Sequence, residues 1–149
     1  MDVRSETDED GVAQGHQGKS LIMYTTLGVR DVRRAIPFYD AVLGVLGHRR
    51  RSTSDEWVAW GPDYDHGVSF CICPPFDGNP PSVGNGTMIA LRAQSDKEVD
   101  AFYEAALRHG GSSEGPPGTR EAYDPNFYVC YVRDLDGNKL ACAFPHYGE

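Results

Sequence analysis

Cys71 and Cys73 stand two residues apart, and on a strand that spacing turns both thiols to one face. A thiol acts as nucleophile or soft-metal ligand in its thiolate form, which requires a base or a cationic neighbour to lower its pKa. Arg92 and Lys139 are the cations on which such a site would draw; without them the two cysteines serve as small buried hydrophobes. The same cations suit an anionic ligand, and equally a loop carboxylate or solvent at the end of a snorkelling stem. Tyr24, Thr26, Trp60, Tyr128 and Tyr131 offer ring faces and hydroxyl groups to a ligand. The alternative, strongest for Trp60, is that hairpin aromatics are core. His48, His66 and His109 fall in expected turns or at a helix end and read as solvated, whereas His146 follows the last expected strand and is within reach of a rim.

What positions these residues is a duplication. At an offset of 64 the sequence aligns with itself, and Leu27/Leu91, Phe38/Phe102, Tyr39/Tyr103, Ala41/Ala105, Leu43/Leu107 and Gly47/Gly111 are identical. Later the offset becomes 70, with the six extra residues in the Gly/Pro/Ser-rich segment 111–126. Each copy, 22–75 and 86–146, reads as a strand, a helix and three shorter strands. The helices open at Asp31 and at Ser95, the latter with Glu98 at capping-box spacing. Their apolar positions form one stripe, and Gly47 and Gly110-Gly111 end them. Pro37 conflicts locally, because it removes one helical hydrogen bond and tends to bend the helix. Asp65-His-Gly67 and Asp136-Gly137 mark the last hairpin turns, and a Pro- and Gly-rich linker, 74–86, joins the copies.

Alternation sorts the strands into two faces. Met23, Thr25, Leu27, Val29, Phe70, Ile72, Ile89, Leu91, Ala93, Leu140, Cys142 and Phe144 belong under the helices. The opposite, open face then carries Tyr24, Thr26, Gly28, Ser69, Cys71 and Cys73 in copy one and Met88, Ala90, Arg92, Lys139, Ala141 and Ala143 in copy two. Two such faces curling toward one another would enclose a mostly apolar cleft with a few polar groups, as small-molecule sites do. The rival reading packs these faces against the other module or a partner subunit.

Composition narrows the function classes. The chain has 149 residues and a net charge of −8, with 40% apolar and 24% charged residues, which is ordinary for a globular protein. A negative field disfavours nucleic acid, and no apolar run approaches the roughly 20 residues of a membrane span. The four cysteines are not spaced as a disulfide framework and no secretory signal is visible, so a cytoplasmic protein with free thiols is expected. Residues 1–20 read as a disordered, acidic leader, and 21–146 as a single domain built from the two modules.

The repeated modules, Phe38-Tyr-Asp-Ala-Val-Leu-Gly44 and Val132-Arg-Asp-Leu-Asp-Gly-Asn-Lys-Leu140 resemble the vicinal oxygen chelate superfamily, which includes glyoxalase I, bleomycin-resistance proteins and extradiol dioxygenases. The resemblance covers nearly all of 22–146. It implies an α+β fold of two βαβββ modules, forming a curved mixed sheet (half-barrels) with helices on the outer face. It also implies a homodimer, its modules paired within a chain or by exchange between chains. Enzymes of the superfamily hold a divalent metal through His or Glu on the first and last strands of each module. The matching positions here are Tyr24, Cys71, Met88 and Ala141. Met and Ala supply no suitable donor, and a Tyr phenol must first ionise, so no metal and no cofactor are expected. The resulting expectation is a small-molecule-binding protein with a degenerate metal site. Tyr24, Thr26, Trp60, Cys71, Met88, Arg92, Tyr128 and Lys139 would bind an anionic or aromatic ligand, with segment 111–126 as a lid. The alternatives are a lyase, isomerase or dioxygenase using a displaced metal or a cysteine, and an interaction module whose faces are filled by side chains.

Overall fold

A computed structural model describes residues 19–120 and 122–146, so most of the expected leader lies outside the described residues. The element order is β1 (Tyr24–Gly28), α1 (Val32–Val45), β2 (Arg50–Thr53), β3 (Val58–Trp60), β4 (Ser69–Cys73), β5 (Ile89–Arg92), α2 (Asp96–Arg108), β6 (Ser112–Arg120), β7 (Asp124–Arg133) and β8 (Lys139–Pro145). The fold is α+β, with two four-stranded mixed sheets ordered β1-β4-β3-β2 and β5-β8-β7-β6. In each sheet the first and last strands of the module run parallel and the remaining pairs antiparallel. No helix among the described residues is long and apolar enough to cross a membrane.

The helices begin at the expected caps. The Asp31 carboxylate accepts from Arg34 N at 3.2 Å and Ser95 Oγ accepts from Glu98 N at 3.2 Å, each satisfying an amide that the first turn leaves free. The Glu98 carboxylate reaches back to Gln94 N at 3.3 Å, one residue before the cap. Pro37 lies within α1, on its exposed side. One apolar cluster, holding Leu27, Phe38, Tyr39, Val42, Phe70, Phe102, Ala106, Cys130 and Leu140, runs through both modules on the helix side.

One expectation changes. Segment 111–126 is not a free lid, because Ser112–Arg120 is strand β6, paired along β7 with register shifts around Gly115 and Gly118. Pro116 and Pro117 have no amide to donate, and bulges in an outermost strand are where that lack costs least. The expected half-barrels are two separate sheets, with no ladder between them. Helix α1 packs on α2, and the turn between β7 and β8 bonds back to the first module through Tyr39, Gly28 and Arg30.

Gly47 and Gly111, identical in the repeat, answer to different constraints. Gly47 has φ +84°, a left-handed conformation, with nothing within 4 Å of where a Cβ would stand. At Gly111 a Cβ would lie 2.7 Å from the Arg133 carbonyl, 2.8 Å from the Phe38 ring and 2.9 Å from the Ala106 carbonyl. Ala at 47 is therefore expected to cost about 1 kcal/mol, from backbone conformation alone. Ala at 111 should cost more, about 2–3 kcal/mol, because backbone must move. Asp134→Ala should be at least as damaging, about 2–4 kcal/mol, since it strands the donors of Tyr39 and Asn138. Urea denaturation of the three variants checks the order.

Candidate functional site

On the open face of the first sheet, Thr26, Cys71 and Ala59 form one cross-strand row, and Tyr24 lies opposite Ser69. Cys71 and Ala59 are buried. Above this floor the Tyr24 ring meets Trp57 edge-on at 5.7 Å and Tyr64 at 5.3 Å between centroids. Arg51 Nη2 donates to Ser69 Oγ at 2.7 Å, and its guanidinium lies 5.7 Å from the Tyr64 centroid. The position of Arg51 follows from a bulge: Arg50 pairs with Trp60 and Ser52 with Ala59, leaving Arg51 as the extra residue.

The second sheet's open face has a floor of small residues. Ala90, Ala141 and Tyr131 make one row, and Arg92, Ala143 and Val129 the next. Val129, Ala141 and Ala143 form a buried cluster with Phe127 and Tyr131 against it. The Tyr131 ring carries two cations, with the Arg120 guanidinium at 5.6 Å and Lys139 Nζ at 5.4 Å from its centroid. Arg120 is held by carbonyls, at 2.7 Å from Pro116 O and 3.3 Å from Thr119 O, and Gly115 and Gly118 leave room for its guanidinium. Carbonyls orient an arginine without neutralising it. Neither Arg120 nor Lys139 has a carboxylate within ion-pair distance among the described residues, since Glu114 is taken by Arg133 at 2.6 Å. Two depressions meet at Met88, one of about 510 Å³ with Lys139 and Arg133 and one of about 640 Å³ with Phe127 and Tyr131.

The eight sequence-derived residues are thus divided among several places. Tyr24, Thr26 and Cys71 belong to the first open face, and Met88 and Lys139 to the second. The two hollows meeting at Met88 are both walled by the second module, one of them with linker residues Val83–Gly86. Trp60 lies on the helix side, fully buried, its Nε1 donating to Asp40 at 2.8 Å. Tyr128 faces α2 and donates to Asp100 at 2.7 Å, a bond that with burial pushes its phenol up to about 12. Arg92 lies along the free edge of β5 beside a different cavity. Arg51, Trp57, Tyr64 and Arg120 were missed. A bulge hides Arg51 from the alternation rule, and the other three lie beside or beyond strand ends, where no periodicity reports direction.

The sequence profile of the Glyoxalase/Bleomycin resistance protein/Dioxygenase superfamily matches residues 21–142. The chain belongs to this superfamily. The crystal structure of a glyoxalase/bleomycin resistance protein from Albidiferax ferrireducens T118 is 33% identical in sequence, with a TM-score of 0.75 over 84% of this chain and 98% of that one. A glyoxalase-related enzyme from Fulvimarina pelagi (19% identical, TM-score 0.65, 83% of this chain and 86% of that one) has the same fold. So does a lactoylglutathione lyase from Agrobacterium tumefaciens (20% identical, TM-score 0.59, 84% and 93%). No curated protein matches the sequence.

The divalent-metal positions that the resemblance implies are Tyr24, Cys71, Met88 and Ala141. Met88 and Ala141 bring no nitrogen or carboxylate oxygen, and Tyr24 brings a phenol, so this donor set does not fit such an ion. Among the described residues no three His, Cys, Asp or Glu side chains converge elsewhere. The thiols are equally unsuited to nucleophilic work. Burial raises the pKa of Cys71, outweighing the nearby Arg51, and raises that of Cys130 to about 12. Native protein at pH 8 should therefore react with a disulfide reagent at Cys73, which is half-buried, well before Cys71, Cys130 and Cys142, which are fully covered. Mass-spectrometric mapping of the first labelled thiol checks this.

Proposed function

We propose that this superfamily member is a metal-independent binder of small, ring-bearing anions, which it holds on the open faces of its sheets. One observation carries the reading. In a chain of net charge −8, Arg51, Arg120 and Lys139 each lie against an aromatic ring on an open face, and none makes an ion pair among the described residues, Lys139 feeling Glu114 only at longer range. Such cations remain available to charge-assisted hydrogen bonds with a carboxylate, while the rings and the alanine floor receive a flat apolar body.

The first face offers mainly rings and the second mainly cations, so a homodimer that apposes the two is part of the same proposal. The free thiols suit a reducing, cytoplasmic compartment. As a nucleophile Cys71 fares poorly, because burial disfavours its thiolate.

Aromatic carboxylates such as benzoate and naphthoate should raise the thermal midpoint of the full chain, and the matching aromatic amines should not. Arg120→Gln or Lys139→Gln should weaken the carboxylate about tenfold each, while zinc, nickel, manganese and chelators leave the midpoint unchanged. A flat response to every carboxylate, or a large metal-dependent shift lost on mutating Cys71, would refute the proposal.

A further inference from the structure

A separate cavity lies between the first module and the free edge of β5, reaching the helix side at Leu43, Trp60 and Phe70, and the edge residues of both faces of β5. Its volume is about 350 Å³, within the range of small-molecule sites. Leu43, Trp60, Phe70, Ile89 and Leu91 give it an apolar wall. Its polar groups are few. Thr25 Oγ1 is the only buried side-chain oxygen or nitrogen among the described residues that lacks a hydrogen-bond partner, and Thr25 lines this cavity. His48 and Arg92 line it too, and no Asp or Glu does. Arg92 makes no ion pair or hydrogen bond among the described residues.

The Thr25 hydroxyl is itself covered and does not face the cavity. Arg92, exposed and without an ion pair among the described residues, is the charged group on the lining. β5 pairs on one side only, so part of its backbone also lacks a ladder partner. An apolar body fits the wall and an anionic head fits Arg92. We propose that this cavity is a second binding site, selective for a monocarboxylate with an aliphatic or aryl body. It shares none of Arg51, Arg120 or Lys139 and stands or falls independently of the open-face reading.

Isothermal titration of the full chain with octanoate, octanol and octylammonium tests it. Octanoate should bind, octanol more weakly and octylammonium least. Arg92→Gln should weaken octanoate tenfold or more and leave octanol unchanged. Thr25→Val replaces the covered orphan hydroxyl with a methyl of the same shape, so it should raise the thermal midpoint and leave octanoate affinity unchanged. Equal octanoate affinity in wild type and Arg92→Gln overturns the proposal, as does no octanoate binding at all. In the latter case, loss of a wild-type dimer in sedimentation of Val68→Glu, a change at the cavity mouth, would identify a second copy of the chain as the occupant.

Discussion

The arrangement of the two modules depends on one buried carboxylate. Asp134, at 5% exposure, accepts from the amides of Asp136 and Asn138 at 2.9 and 2.8 Å, from Asn138 Nδ2 at 2.9 Å and from the Tyr39 hydroxyl at 2.5 Å. Asn138 Nδ2 also donates to Gly28 O at 2.9 Å, and Asp136 accepts from Arg30 N at 3.0 Å. A buried charge is tolerable only when its acceptor positions are filled, and these donors come from α1 and the turn itself, while Gly28 at the end of β1 accepts from the turn. The turn between β7 and β8 therefore acts as a bolt between the copies. Burial, and next the charge of Asp134, holds the Tyr39 phenol well above its ordinary pKa, so it remains a donor. The bolt fixes α1 against α2, which assigns the helix side to the shared core and leaves the other side of each sheet to carry chemistry.

The fold was legible because its signals are local or periodic. The caps at Asp31 and Ser95 need only neighbouring residues, and alternation along Leu27, Val29, Phe70, Ile72, Leu140 and Cys142 correctly selects the buried face. Repetition doubled each signal. The turn residues 134–138 were readable as a hairpin signal, but nothing local announces a partner 95 residues away at Tyr39.

The site was only partly legible, for reasons that differ by residue. Alternation gives the face of a strand residue and says nothing of what covers it, so Cys71 proves inaccessible although it is on the expected face. Trp60 and Tyr128 have polar tips that suit a ligand, yet those tips are spent on Asp40 and Asp100 of the helices. Segment 112–120 looked like a loop because its glycines and prolines are loop formers in isolation; its pairing with β7 overrides that preference. Arg120 becomes visible only once the strand folds, since Gly115 and Gly118 make its resting place from five residues away or fewer.

Alternating strands also divide labour between selection pressures. On β8, Leu140 and Cys142 hold the core while Ala141 and Ala143 floor the open face; on β1, Leu27 is core and Thr26 is not. A substitution at an exposed open-face position such as Thr26 changes what the protein can recognise and largely spares the packing that keeps it folded. Such a scaffold can lose an old chemistry and acquire another in single mutational steps without passing through an unstable ancestor, so its history can run through many ligands on one unchanged backbone.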